Sequence, residues 1–193
     1  MTNIIFTGVG GQGIILAAKI LMDVALRSAY DVKESEIHGM AQRGGSVDCH
    51  VRFGPKVHSP LIQRGTAHYI VAFELLEGVR KLEYLSPDGL LVIDRGCIDP
   101  ATVRCGQATY PPDLEDWIRH HIARHVIVNT QDDLQTIGFK KALNIMMLGV
   151  LSRYLDFEKA LWEDSIRSLV KSNTVDLNLK VFARGRSLQA INA

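Results

Sequence analysis

Cysteine is scarce in this chain of 193 residues, and the little there is lies apart. Cys49, Cys97 and Cys105 form no C-x-x-C pair, so neither a zinc site nor an iron–sulfur cluster is encoded locally. Charge of one sign is missing too. A net charge of +1 gives no general pull toward nucleic acid or an anionic membrane. No apolar run approaches the ~20 residues that span a bilayer. The N-terminus reads Met-Thr-Asn and then a strand pattern, without a basic secretory leader, so reduced thiols in the cytoplasm are expected. Repeats, low-complexity tracts and linkers are absent, and residues 1–193 are expected to form one domain around a single buried core.

Glycine, in contrast, is concentrated in two places. The first is Gly8-Val9-Gly10-Gly11-Gln12-Gly13, between a β-branched and aromatic run (residues 4–7) and a helical pattern over 14–29. Strand, glycine turn and helix together aim unpaired backbone N–H groups at an anion. Gly8, Gly10 and Gly13 satisfy G-x-G-x-x-G, a weak signal when it stands alone. The bland alternative is a tight turn that binds nothing. The second place is His38-Gly39-Met40-Ala41-Gln42-Arg43-Gly44-Gly45-Ser46, which feeds an alternating strand over 46–53. A nicotinamide-binding fold would instead place an acid about 20 residues past the first glycines and then a crossover helix. Glu34 and Glu36 stand near that distance, but no long helix follows them.

Beyond residue 54 the pattern alternates between buried strands and helices. Strands are expected at 67–73, 90–93 and 126–128, and helices at 74–85, 112–124, 132–155 with a break near Gly138, 157–170 and 176–190. Residues 86–89, Ser-Pro-Asp-Gly, read as a turn. His121 and His125 are expected four apart on one helix, with a solvated face the better interpretation than a metal site. This rhythm predicts a three-layer α/β fold: a mostly parallel, mixed sheet with helices on both faces and a Rossmann-like glycine loop.

The pair of motifs, GVGGQG and SEIHGMAQRGGSVDCHVRFG, resembles the gamma domain of 2-oxoacid:ferredoxin oxidoreductases. Within that family the likeness is greatest to the small, beta subunit of indolepyruvate ferredoxin oxidoreductase. It continues through Ala142-Leu143-Asn144, Met147-Leu148-Gly149 and the stretch from Asn178 to Gly185, and misses only residues 95–135. The resemblance implies a large catalytic (alpha) subunit as partner, carrying thiamine diphosphate and 4Fe-4S clusters. It further implies ferredoxin as electron acceptor through the complex and coenzyme A as co-substrate. This chain would bind no cofactor by itself and would be inactive alone. A lone chain could also self-associate.

The candidate binding residues are Gly8, Gly10, Gly11, Gln12 and Gly13 of the first loop, and His38, Gln42, Arg43, Gly44, Gly45 and Ser46 of the second. In Arg43 a guanidinium and neighbouring glycine N–H groups could converge on one anion. The two loops are expected to face each other across one cleft at strand ends. No catalytic residue is identified. Two alternatives stay open: a nucleotide-dependent oxidoreductase with Glu36 on a ribose, and a non-enzymatic anion-binding module.

Overall fold

The computed structural model describes residues 1–39 and 44–190. Its centre is a six-stranded sheet in the order β2-β3-β1-β4-β5-β6. The strands are β1 (Thr2–Val9), β2 (Asp31–His38), β3 (Ser46–Gly54), β4 (Ala67–Ala72), β5 (Leu85–Asp94) and β6 (His125–Val128). β1, β4, β5 and β6 run parallel, and only β3 is reversed, pairing antiparallel with both β1 and β2. The sheet is therefore mixed, as the glycine-rich hairpin between β2 and β3 requires.

Helices cover both faces. On one side pack α1 (Ile14–Arg27), α6 (Leu143–Leu151), α7 (Lys159–Leu169) and α8 (Val175–Ser187), with α5 (Gln131–Ile137) beside them. On the other lie α2 (Leu75–Arg80) and α4 (Leu114–His121). Alternate residues of each strand serve the two layers: Ile4 and Phe6 of β1 face the first, and Ile5 the second. That explains why the central strands read as continuous apolar runs, while edge strand β2 (DVKESEIH) keeps polar residues.

Several expected boundaries move, each because sheet pairing overrides a local signal. The turn at 86–89 lies inside β5. Ala67 pairs with Leu85 and Tyr69 with Leu90, so five steps along β5 face two along β4 and residues 86–89 arch out as a bulge. The expected helix 74–85 stops at Arg80 and tightens into a single turn over Leu82–Tyr84, because Leu85 joins the sheet. The expected helix to 124 ends at His121, since His125 pairs with Leu91 as the first residue of β6. His121 and His125 therefore share no helix face; His121 stacks on Trp117 instead. Gly138, at φ 76°, breaks the 132–155 region as expected, and α6 ends early at Leu151.

Candidate functional site

Val9 of β1 lies opposite Ser46 of β3, and the ladder continues past both strands into the loops. Gly10 N–H donates to the Gly45 carbonyl at 2.8 Å, and Gly44 N–H donates to the Gly10 carbonyl at 3.1 Å. At Gly10, Gly44 and Gly45 the two loops are thus joined by direct backbone pairing, where a cleft was expected; residues 40–43 of the second loop lie outside the described residues. The described part of the two loops forms a rim at the C-terminal end of β1.

Gly11 has φ 110°, and among the described residues a Cβ placed there would meet nothing within 4 Å. Gly13, at φ 80°, is the N-cap of α1, where no side chain caps the helix. The first-turn N–H groups are thereby left for an anion or water. Asn144 of α6 holds this corner: its Nδ2 donates to the Gly13 carbonyl at 3.1 Å. Gly8 is packed rather than exposed, with Gln12, Phe73 and Ile14 around the place of a Cβ. Gln12 proves to be a staple. Its Oε1 accepts from Val9 N–H at 2.7 Å and its Nε2 donates to the Phe73 carbonyl at 2.8 Å, bridging the ends of β1 and β4. His38 ends β2, is exposed, and has Nδ1 at 3.2 Å from the Gly39 carbonyl. Ser46 opens β3. Gln42 and Arg43 lie outside the described residues. Below the rim, buried Asp48 accepts from the Thr7 hydroxyl at 2.6 Å and pairs with Lys81 at 2.6 Å, tying α2 to β1 and β3.

Two cavities flank the Gln12 bridge. The larger, of about 400 Å³, is bounded by Gly44, Gly45 and Ser46 on one side and by Arg80, Thr102 and Arg104 on the other. The smaller, of about 220 Å³, lies at the ends of β4, β5 and β6, with Phe73, Asp94, Thr130, Leu134, Lys140 and Leu143 on its walls. Asp94 accepts from Thr130 N–H at 3.1 Å and Gly96 N–H at 3.0 Å. Burial nonetheless pushes its carboxyl above the usual carboxylate range. Sequence reasoning singled out none of Glu74, Asp94, Arg104 or Tyr110. The signal available for the first two was position: acids that directly follow or end parallel strands, where α/β ligand sites form. Nothing in the sequence marked the other two.

The cysteines do not fit a cluster. Cys49 is buried in β3 with its thiol pushed up to about 12, by burial first and then by Glu34 and Glu36. Cys97 and Cys105 are exposed. Among the described residues no group of three or more His, Cys, Asp or Glu could hold a metal ion. No helix among them is long and apolar enough to cross a membrane. Glu36, the ribose candidate of a nucleotide-dependent enzyme, sits on β2, and β3 separates it from β1.

Residues 3–188 match the family described as pyruvate ferredoxin/flavodoxin oxidoreductase. The indolepyruvate oxidoreductase subunit IorB of Archaeoglobus fulgidus is 38% identical over 98% of this chain and 96% of its own. The gamma subunit of a keto/oxoacid ferredoxin oxidoreductase from Geobacter sulfurreducens has the same fold, with a TM-score of 0.72, 22% identity and coverage of 97% of both chains. The fold recurs within 2-oxoglutarate:ferredoxin oxidoreductase from Magnetococcus marinus, solved with 2-oxoglutarate, coenzyme A and succinyl-CoA bound. There the TM-score is 0.73 at 16% identity, covering 96% of this chain and 30% of that one. The mixed α/β sheet, the paired glycine rim and a match over nearly the whole length lead to one conclusion: the chain belongs to the pyruvate ferredoxin/flavodoxin oxidoreductase family.

Proposed function

We propose that this chain is the small subunit of an indolepyruvate (arylpyruvate):ferredoxin oxidoreductase, assisting the oxidative decarboxylation of a 2-oxoacid to its acyl-CoA. The observation that carries the proposal is the end-to-end similarity to an indolepyruvate oxidoreductase subunit. The family likeness supports assigning thiamine diphosphate and the 4Fe-4S clusters to a large catalytic partner. Those groups supply carbon–carbon cleavage and single-electron transfer to ferredoxin when bound.

This chain's part is to close the site and hold an anion. The rim offers backbone N–H groups near Gly11 and Gly13 and the N-terminal end of the 14-residue helix α1. A helix terminus of this kind contributes about 0.3–1 kcal/mol to a nearby anion. Arg43, in the same loop as Gly44 and Gly45, adds the formal charge. Coenzyme A is the ligand that fits this rim best, because its phosphates match N–H donors and guanidinium geometry. The Magnetococcus enzyme with this fold was solved with coenzyme A bound, which supports that choice of ligand.

The test is an assay of the purified chain with indolepyruvate, coenzyme A, thiamine diphosphate and an electron acceptor, alone and then with its large partner. No turnover is expected from the lone chain, which should also purify without stoichiometric iron and sulfide; turnover should appear when the partner is added. Steady turnover without the partner would overturn the proposal. Binding of the partner with no contribution to turnover would point instead to a non-enzymatic interaction module.

A further inference from the structure

Residues 96–104 form the wall between the two cavities. Ile98 lines both, Gly96 and Cys97 face the smaller one, and residues 99–102 with Arg104 border the larger. The wall has little regular structure of its own, since α3 (Ala101–Arg104) is only four residues long. Its position is set from outside, by Glu74 at the end of β4. That carboxylate is 1% exposed and accepts three hydrogen bonds. Glu77 N–H donates to Oε2 at 2.8 Å and caps α2. Ile98 N–H donates to Oε1 at 3.2 Å, and the Tyr110 hydroxyl donates to the same oxygen at 2.5 Å. Leu75 N–H donates to the Gly96 carbonyl at 3.0 Å close by. A helix cap needs only the first of these bonds; the others tie the start of the wall, at Gly96 and Ile98, and Tyr110, six residues beyond its end, to the segment that follows β4. Burial, and then the Glu74 carboxylate, push the Tyr110 hydroxyl far up, so it stays protonated and keeps donating.

The wall carries a guanidinium to the glycine rim. Nη2 of Arg104 lies 3.7 Å from where a Cβ on Gly44 would be. Arg80 borders the same cavity, but its guanidinium is held by Glu77 at 2.6 Å. A planar, permanently charged fork beside a backbone without a side chain is the arrangement that recognises phosphate in a bidentate way. We propose that Glu74 and Tyr110 form a latch that positions the 96–104 wall, and that Arg104 on this wall binds the phosphate-bearing co-substrate beside Gly44 and Gly45. The inference rests on the reading that coenzyme A occupies this rim. Tyr110 and Glu74 act through the wall and are positioning residues.

The test is the coenzyme A saturation of the assembled enzyme at fixed indolepyruvate. Arg104→Gln is expected to raise the KM for coenzyme A about tenfold, with a far smaller change in kcat and in the KM for the oxoacid. Arg104→Lys should recover part of the loss. Tyr110→Phe, which keeps the ring and removes only the donor, should raise the same KM about threefold. The double variant should be no worse than Arg104→Gln alone, because the latch acts through that arginine. A merely structural role for the latch would shift both substrates and kcat together. Calorimetric titration of the complex with coenzyme A shows whether the KM shift is one of affinity. Unchanged coenzyme A dependence of Arg104→Gln, in a complex that turns over indolepyruvate, overturns the inference and leaves the functional reading standing. A wild-type complex without coenzyme A-dependent turnover removes both. A shift in Arg104→Gln but none in Tyr110→Phe refutes the latch.

Discussion

Glycine does two different jobs in two regions of this molecule. At the rim, Gly11 and Gly13 are needed for their backbone angles, with φ of 110° and 80°. In the helical layer, Gly149 of α6 and Gly185 of α8 are needed for the space they leave. A Cβ on Gly149 would strike the Phe182 carbonyl oxygen, and one on Gly185 the Met146 carbonyl oxygen, both backbone atoms that cannot turn aside. Only the first region stood out in the sequence as a glycine motif, while Gly149 and Gly185 are isolated glycines; the first shapes the rim and the second lets two helices touch. The contrast teaches that a glycine marks a backbone constraint, and that only its place in the fold says whether the constraint serves chemistry or packing.

The contrast can be broken most sharply in the helical layer. Gly185→Ala must push α8 away from α6, and overpacking of this kind costs typically 1–3 kcal/mol, with backbone contacts at the upper end. The urea midpoint of the subunit should fall far, and binding of the large subunit should fall with it. A midpoint equal to that of the wild type would show that the helices separate freely.

Gly11→Ala should be milder and different in kind. Its Cβ meets nothing among the described residues, so the expected effect is backbone strain, about 1–3 kcal/mol if the angle is kept. Because the loop can relax, stability should drop less than in Gly185→Ala, while coenzyme A dependence in the assembled enzyme should change. Loss of stability without any effect on coenzyme A would make the rim a structural turn only.

The smallest effect serves as a control at the far end of the sheet. His50 Nδ1 accepts from Ile62 N–H at 3.2 Å, and His68 Nδ1 accepts from Asn3 N–H at 3.0 Å. Both bonds require neutral rings, and burial holds both imidazoles below the ordinary value of 6.5. As pH falls through 6.5 the unfolded chain takes up protons that the folded chain resists, so stability declines with acid and is full above that value. Buried Asp94 has the opposite sign: its raised carboxyl favours the fold as it protonates. Melting temperature followed from about pH 7 to pH 5 should fall less steeply in His50→Gln than in the wild type. Identical slopes would show that His50 takes up its proton as readily in the fold as in the unfolded chain.

Much of this architecture was legible in the sequence, and the reasons are specific. β1, β4 and β6 are short apolar runs with no competing pattern. The break at Gly138 was visible because the residue needs a left-handed angle. The bulge at 86–89 and the entry of His125 into β6 were not, because both are decided by register with a neighbouring strand. At the site, the two glycine stretches were visible, and their separation in sequence hid that β1 and β3 would bond them directly. Gln12 read as an anion ligand because its partner, the Phe73 carbonyl, lies 61 residues away. Glu74 and Tyr110 are 36 residues apart, and no local pattern links them.

The central claim is that the glycine rim of this subunit holds coenzyme A in a 2-oxoacid oxidoreductase. Arg43→Ala in the reconstituted enzyme tests it most directly, with the steady-state rate followed against coenzyme A and against indolepyruvate. The account predicts a KM for coenzyme A raised about tenfold, as expected for the loss of one charge-assisted contact, with assembly and melting temperature unchanged. Saturation by both substrates identical to that of the wild type would contradict it and leave Arg43 as a surface charge or a subunit-docking residue.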